Sequence, residues 1–161
     1  MKYVKYAIIF FIVLVIDHNV IDLISIKGIT PDIVLIYLIF ISLRETQSTA
    51  TIIGFCAGLL QDLFSLSMLG LSSLTKSISC FITAFFQRAK GNYSIMNLAL
   101  IFFTVTIIHD RLYQFIYLLG TDQKLFKSFL YHSVPKAIYT TIVALIINFI
   151  FGRILWDTRE I

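Results

Sequence analysis

Six apolar stretches, most of them long, alternate with short polar stretches along this chain of 161 residues. Apolar runs of this length predict helices that cross a membrane, because a bilayer core needs about 20 apolar residues in a helix. The second run is short for a complete crossing, so it either spans with help from the residues after Arg44 or is partly re-entrant. The predicted helices cover approximately Tyr3–Ile21, Ile33–Leu43, Ala50–Leu66, Leu69–Phe86, Ile95–Leu119 and Phe129–Leu155. The expected fold is all-α, a polytopic membrane protein with a single transmembrane domain over residues 1–161.

The composition supports a membrane protein. Hydrophobic residues make up 58% of the chain and charged residues only 14%, whereas about a quarter of the residues of a soluble domain are charged. The net charge of +4 does not indicate nucleic-acid binding, because the basic residues lie at the ends of apolar segments and form no patch.

The distribution of basic residues predicts the orientation. Positive residues are retained on the cytoplasmic side of membrane proteins. If the amino end is cytoplasmic, seven basic residues lie inside (Lys2, Lys5, Arg44, Arg88, Lys90, Arg153, Arg159) and three outside (Lys27, Lys124, Lys127). The first helix resembles a signal peptide, but Asp17, His18 and Asn19 follow it in place of a small-residue cleavage site. We therefore expect a retained first helix, with both termini in the cytoplasm.

The second helix has a recognisable start. Thr30 can cap the first free amides, Pro31 fits the first helical position, and Asp32 complements the positive end of the helix dipole.

Ionisable residues inside the apolar segments mark the places where function is expected. A charge at the centre of a helix in lipid costs about 2.5–3.5 kcal/mol, so such residues pair or face protein. Asp62 and Lys76 lie at comparable distances from the short turn between the third and fourth helices, and we expect them to meet. This pair either lines a pocket or fixes the helix register, unless Lys76 extends to the surface. Of these alternatives, a structural role for the pair is favoured over a pocket.

The fifth helix carries His109, Asp110 and Arg111 in succession. Neighbouring residues of a helix point about 100° apart, so at least one of the three is expected to reach the interface or a partner. The three histidines, His18, His109 and His132, have no metal-ligand spacing. No cofactor is expected.

Small residues on the third helix predict close packing. Ala50, Gly54, Gly58 and Asp62 are spaced by four residues and form one face. Glycines at this spacing let another helix approach closely. Packing within the subunit is favoured over docking of a partner helix, because such motifs are common in membrane helices. The fourth helix carries Ser72, Lys76, Ser79 and Thr83 on one face, and its small hydroxyls suit close packing against the glycines.

Taken in order, several motifs resemble the MreD family of rod shape-determining membrane proteins. They are Pro31-Asp32 opening the second helix, the segment from Gly54 to Asp62, Leu69-Gly70-Leu71 with Ser73-Leu74 opening the fourth helix, and Asp110 in the fifth. Lys76 and the pairing of Asp110 with Arg111 are not part of the family pattern. The residues expected to pack helices or bind partners are Pro31, Asp32, Gly54, Gly58, Asp62, Gly70, Lys76, Asp110 and Arg111.

The resemblance implies a scaffold rather than an enzyme. Proteins of this family associate with the single-pass protein MreC and, through the complex, with the MreB cytoskeleton and wall synthases. The complex directs lateral peptidoglycan synthesis and maintains cell shape at the bacterial inner membrane. The resemblance also implies an architecture similar to the substrate-binding subunits of energy-coupling-factor transporters.

Two alternatives come from other functional classes. A vitamin-binding transporter subunit would also carry polar groups near the outer side, but it should have small residues on its first helix, where this chain has bulky ones between Ala7 and Val13. An intramembrane aspartyl peptidase would use Asp62 and Asp110 to activate water. The Asn-rich motifs around both aspartates of that class are missing.

Overall fold

The computed structural model describes residues 2–24, 30–64, 69–86, 93–117 and 133–156, and within these ranges the chain forms six α-helices and no strand. The all-α fold class is therefore confirmed for this part of the chain. His132, the start of the predicted sixth helix and the end of the predicted fifth lie outside the described residues. The helices are α1 (Lys2–Ile24), α2 (Ile33–Ser42), α3 (Gln47–Phe64), α4 (Leu71–Phe85), α5 (Ile95–Tyr117) and α6 (Val134–Trp156).

The start of α2 differs from the sequence prediction by its capping residue. Asp32, not Thr30, is the N-cap: its backbone is extended, and its Oδ1 accepts a hydrogen bond of 2.8 Å from the Leu35 N–H. Asp caps a helix at least as well as Thr, because its carboxylate also complements the helix dipole. Pro31 thus precedes the helix instead of occupying its first turn.

The ten residues of α2 form the centre of the bundle. Val34 and Leu38 pack with residues of α1, α3 and α4, whereas Leu35 and Ile39 pack with residues of α5 and α6. The Phe40 and Phe102 rings meet edge to face at 5.0 Å, which joins α2 to α5. A helix of ten residues is about 15 Å long, so α2 is much shorter than a bilayer core.

The most extensive contact in the bundle is between α3 and α4. Two glycines on α3 make it possible, because atoms of α4 occupy the space that their side chains would need. A Cβ added at Gly54 would lie 2.6 Å from the Cys80 Sγ, and one added at Gly58 would lie 2.5 Å from the Ser72 carbonyl oxygen. The glycine face is thus filled by a helix of the same chain.

Large apolar side chains cover much of the outside of the bundle. They include Phe149, which is 90% exposed, Phe85, Leu63, Val4 and Ile52. Among the described helices, one, α5 (Ile95–Tyr117), is both long and apolar enough to cross a membrane. Shorter apolar stretches occur at Tyr6–Asp17, Ile33–Ser42, Leu71–Phe85 and Val134–Ile150. An outer surface of this kind is suited to lipid rather than to water.

Tyrosines fix the beginning of α1 against the end of α2. The Tyr6 hydroxyl donates a hydrogen bond of 3.0 Å to Glu45 Oε1 in the turn between α2 and α3. The Tyr37 hydroxyl donates one of 2.8 Å to the Tyr6 carbonyl oxygen. The amino end of α1 and the turn at residues 43–46 therefore share one end of the bundle.

Candidate functional site: a buried polar cluster

Six ionisable side chains from five parts of the fold come together inside the bundle, and we call them the polar cluster: Asp17, Asp32, Lys76, His109, Asp110 and Lys136. Asp17 belongs to α1, Asp32 caps α2, Lys76 lies on α4, and Lys136 lies on α6. His109 and Asp110 come from α5. Three carboxylates and two ammonium groups in one interior region largely balance each other's charge, which lowers the cost of burying them.

The N-terminus of α2 is held by two carboxylates. Asp32 accepts a hydrogen bond from the Leu35 N–H, and the Asp17 carboxylate interacts electrostatically with the Ile33 amide. The first amides of a helix have no partner within the helix, so the two carboxylates stabilise polar groups that α2 buries inside the bundle. The Lys76 Nζ lies 4.0 Å from Asp32 Oδ2, and Lys76 is only 2% exposed.

A second part of the cluster joins α5 to α6. Asp110 accepts hydrogen bonds from the Ser133 hydroxyl, from Gln114 Nε2 at 3.0 Å and from Lys136 Nζ at 3.2 Å. Thr140, further along the same face of α6, accepts a bond of 3.5 Å from the Asp32 backbone N–H. Asp110 and Asp32 thus tie α6 to two different helices.

Asp62 does not belong to this cluster, and the expected ion pair with Lys76 is not formed. Its carboxylate accepts hydrogen bonds from three backbone N–H groups at the start of α4: Gly70 (2.9 Å), Ser72 (3.2 Å) and Ser73 (3.3 Å). Free amides at a helix N-terminus attract a carboxylate strongly. Gly70 supports this arrangement with a left-handed backbone (φ +96°) that other residues rarely adopt.

We expect Asp62→Ala to lower the free energy of unfolding by about 1–3 kcal/mol, because it leaves buried amides of α4 without an acceptor. Thermal unfolding of the purified protein in detergent measures this. Because Lys76 has a different partner, the effects of Asp62→Ala and Lys76→Ala should add to within about 0.5 kcal/mol. A larger coupling energy between the two substitutions would contradict the assignment.

The remaining predicted site residues are distributed over the fold. Pro31 is buried next to the cap of α2, and Arg111 is partly buried on α5 beside Asp110. Gly54 and Gly58 pack against α4, and Gly70 turns the chain into α4. Of the predicted residues, the structure therefore brings together Asp32, Lys76 and Asp110.

Sequence reasoning gave too little weight to α1 and α6. Asp17 was not among the predicted site residues, but it is 8% exposed and lies beside the start of α2. Ser133, Lys136 and Thr140 were not assigned to a site. Their spacing of three and four residues places them on one helix face, and this pattern was the available signal.

The arrangement holds helices together, and its carboxylates form hydrogen bonds with different parts of the fold. Within the described ranges, no three His, Cys, Asp or Glu side chains gather in a way that could hold a metal ion. Asp62 and Asp110, the pair that a peptidase would need, are bonded to different groups: the start of α4 and the α5–α6 junction.

Comparison with known proteins gives one match. The family model described as rod shape-determining protein MreD matches residues 2–156, a range that includes all six helices. No curated protein and no solved structure matches the chain. The expected likeness to the substrate-binding subunits of energy-coupling-factor transporters therefore stays a prediction.

Proposed function

Because the chain belongs to the MreD family of rod shape-determining membrane proteins, we propose that it is a scaffold of the bacterial elongation complex that binds an MreC-like single-pass protein. The family match over residues 2–156 is the observation that carries this proposal. The proposal extends to an indirect connection with an MreB-like cytoskeleton and wall synthases, and to a part in directing lateral peptidoglycan synthesis. The family match does not support the alternative of a vitamin-binding transporter subunit.

The use of the polar groups is consistent with a scaffold. Asp62 stabilises the N-terminus of α4, Asp17 and Asp32 stabilise the N-terminus of α2, and Asp110 joins α5 to α6. Hydrogen bonds of this kind hold helices in a fixed arrangement inside a membrane. A fixed bundle with a large apolar outer surface can offer a constant contact surface to the transmembrane helix of a partner.

We further propose six membrane segments in the bacterial cytoplasmic membrane, with both termini in the cytoplasm. The ratio of seven basic residues to three supports this orientation. The contact of Tyr6 with Glu45 also supports it, because it joins the amino end to the turn that carries Arg44. In this arrangement α2 crosses only about half of the bilayer core, as its length of about 15 Å requires.

Purification in mild detergent tests the scaffold proposal. We expect the tagged protein to retain an MreC-like protein when both are produced in the same cell, and to retain less when Gly58→Ala disturbs the α3–α4 contact. Leu59→Ala, which changes an exposed neighbour of Gly58, is the matched control and should leave the yield of the complex unchanged. Recovery of a transporter ATPase pair in place of the MreC-like protein would contradict the proposal.

Cysteine labelling tests the topology. In a Cys56→Ala/Cys80→Ala background, we expect Leu69→Cys to react with a membrane-impermeant maleimide added to intact spheroplasts, and Thr46→Cys to react only after lysis. Both positions are exposed and lie at opposite ends of α3, so they form a matched pair. Labelling of Thr46→Cys from outside would reverse the proposed orientation.

A further inference from the structure

Two polar side chains one turn apart on α5 have hydrogen-bonding atoms without a partner among the described residues. These atoms are both ring nitrogens of His109 and the hydroxyl oxygen of Thr106. His109 is 4% exposed and Thr106 is 1% exposed. A buried polar group without a hydrogen bond destabilises a fold, so two such groups side by side indicate that something polar meets them.

The Thr106 hydroxyl is unlike the other buried hydroxyls of the bundle. A helical Thr or Ser normally donates to the carbonyl oxygen four residues earlier. Five buried residues do so here at 2.7–2.9 Å: Ser42, Thr75, Ser79, Thr83 and Thr141. Thr106 makes no such bond, so its hydroxyl is available on the side of α5 where His109 lies.

The Lys76 ammonium adds hydrogen-bond donors to the same region. It interacts electrostatically with His109 and with Asp32. Among the described residues, its closest carboxylate oxygen is Asp32 Oδ2, 4.0 Å away, which is too long for a direct hydrogen bond. Two hydrogen bonds of about 2.8 Å that meet at one oxygen atom can span such a gap. The geometry therefore fits a bridging group between the two charges.

We propose that the polar cluster contains an internal hydration site, in which bound water bridges Lys76 to Asp32 and satisfies His109 and Thr106. The site offers donors from Lys76 and Thr106 and acceptors from Asp32 and from Asp17 Oδ1, which also has no partner among the described residues. An anion would be repelled by the two carboxylates, and a cation by Lys76. A small neutral molecule that both donates and accepts fits this set of groups, and water is the smallest.

The direction in which Thr106→Val changes the melting temperature tests the proposal. Thr→Val is nearly isosteric, so Thr106→Val stabilises the protein if the hydroxyl has no partner and destabilises it if the hydroxyl binds water. We expect the melting temperature in detergent to fall by about 2–4 °C. Thr83→Val, where a buried hydroxyl loses a known backbone bond, gives the reference for a lost hydrogen bond. A higher melting temperature for Thr106→Val would overturn the proposal.

Hydroxyl-radical footprinting of the protein in nanodiscs provides a second test that requires no variant. X-ray pulses generate radicals from bound water, and these oxidise adjacent side chains. We expect oxidation of His109 well above that of Phe102, a fully buried and intrinsically reactive side chain on the same helix. Equal, background oxidation of the two residues would show that the site is dry. Native mass spectrometry that detects a retained small solute would instead replace water as the occupant and overturn the proposal.

Discussion

Gly58→Ala is expected to lower the free energy of unfolding by about 3 kcal/mol or more, because the added methyl group meets backbone atoms that cannot rotate away. It would come well inside the van der Waals contact distance of the Ser73 Cα and lie 2.5 Å from the Ser72 carbonyl oxygen. The steric clash is relieved only if α3 and α4 separate, and this separation would also lengthen the hydrogen bonds of Asp62. Chemical denaturation in detergent micelles measures the change.

Gly54→Ala provides a graded comparison for this prediction. Its closest neighbour is the Cys80 Sγ at 2.6 Å, followed by the Lys76 carbonyl oxygen at 2.9 Å. Removing the sulfur with Cys80→Ala should therefore restore part of the stability that Gly54→Ala loses. Cys80→Ala should not restore the stability of Gly58→Ala. Equal effects of Gly54→Ala, Gly58→Ala and the exposed Leu59→Ala would contradict the close packing of α3 on α4.

Lys76→Met is expected to lower the free energy of unfolding by about 3–5 kcal/mol, the usual effect of removing one partner from a buried ion pair. The substitution retains an unbranched side chain of similar length, so the loss reports on charge rather than on volume. It leaves Asp17 and Asp32 close together without their shared ammonium group. Denaturation in micelles at constant pH and salt concentration is the measurement.

A double-mutant cycle with Asp32→Asn separates the charge effect from the cap. Asn also caps helices well, so Asp32→Asn removes the charge and retains the bond to Leu35. We expect Asp32→Asn/Lys76→Met to be more stable than the sum of the two single effects predicts, by about 1 kcal/mol or more. Additive effects would show that Lys76 and Asp32 do not interact.

The number of helices and their order could be predicted from the sequence, because long apolar runs have few other structures available to them in a membrane. The spacing of Gly54 and Gly58 also indicated a close helix contact on one face of α3. These features depend on composition and on residues within two or three turns of each other. Interactions between residues close in the sequence are therefore sufficient to predict these features.

The partners of the charged residues could not be predicted in the same way. Asp62 and Lys76 are at comparable distances from their turn, but backbone amides of α4 satisfy the first and α2 presents Asp32 to the second. Both outcomes depend on the rotation of α4 about its axis and on the position of α2. These are set by packing across the whole bundle. Asp17 joined the cluster for the same reason, since the neighbours of α1 decide its burial.

The central position of α2 has a consequence for biosynthesis. Hydropathy alone directs this segment to the lipid as it leaves the ribosome, yet in the finished protein eight of its ten residues are buried. Its start is held by Thr140 and its core by Ala144, both on α6, the last of the described helices. The most apolar of the described helices can therefore reach its final place only after α6 has been synthesised, so the bundle cannot be completed while its first five helices alone are in the membrane.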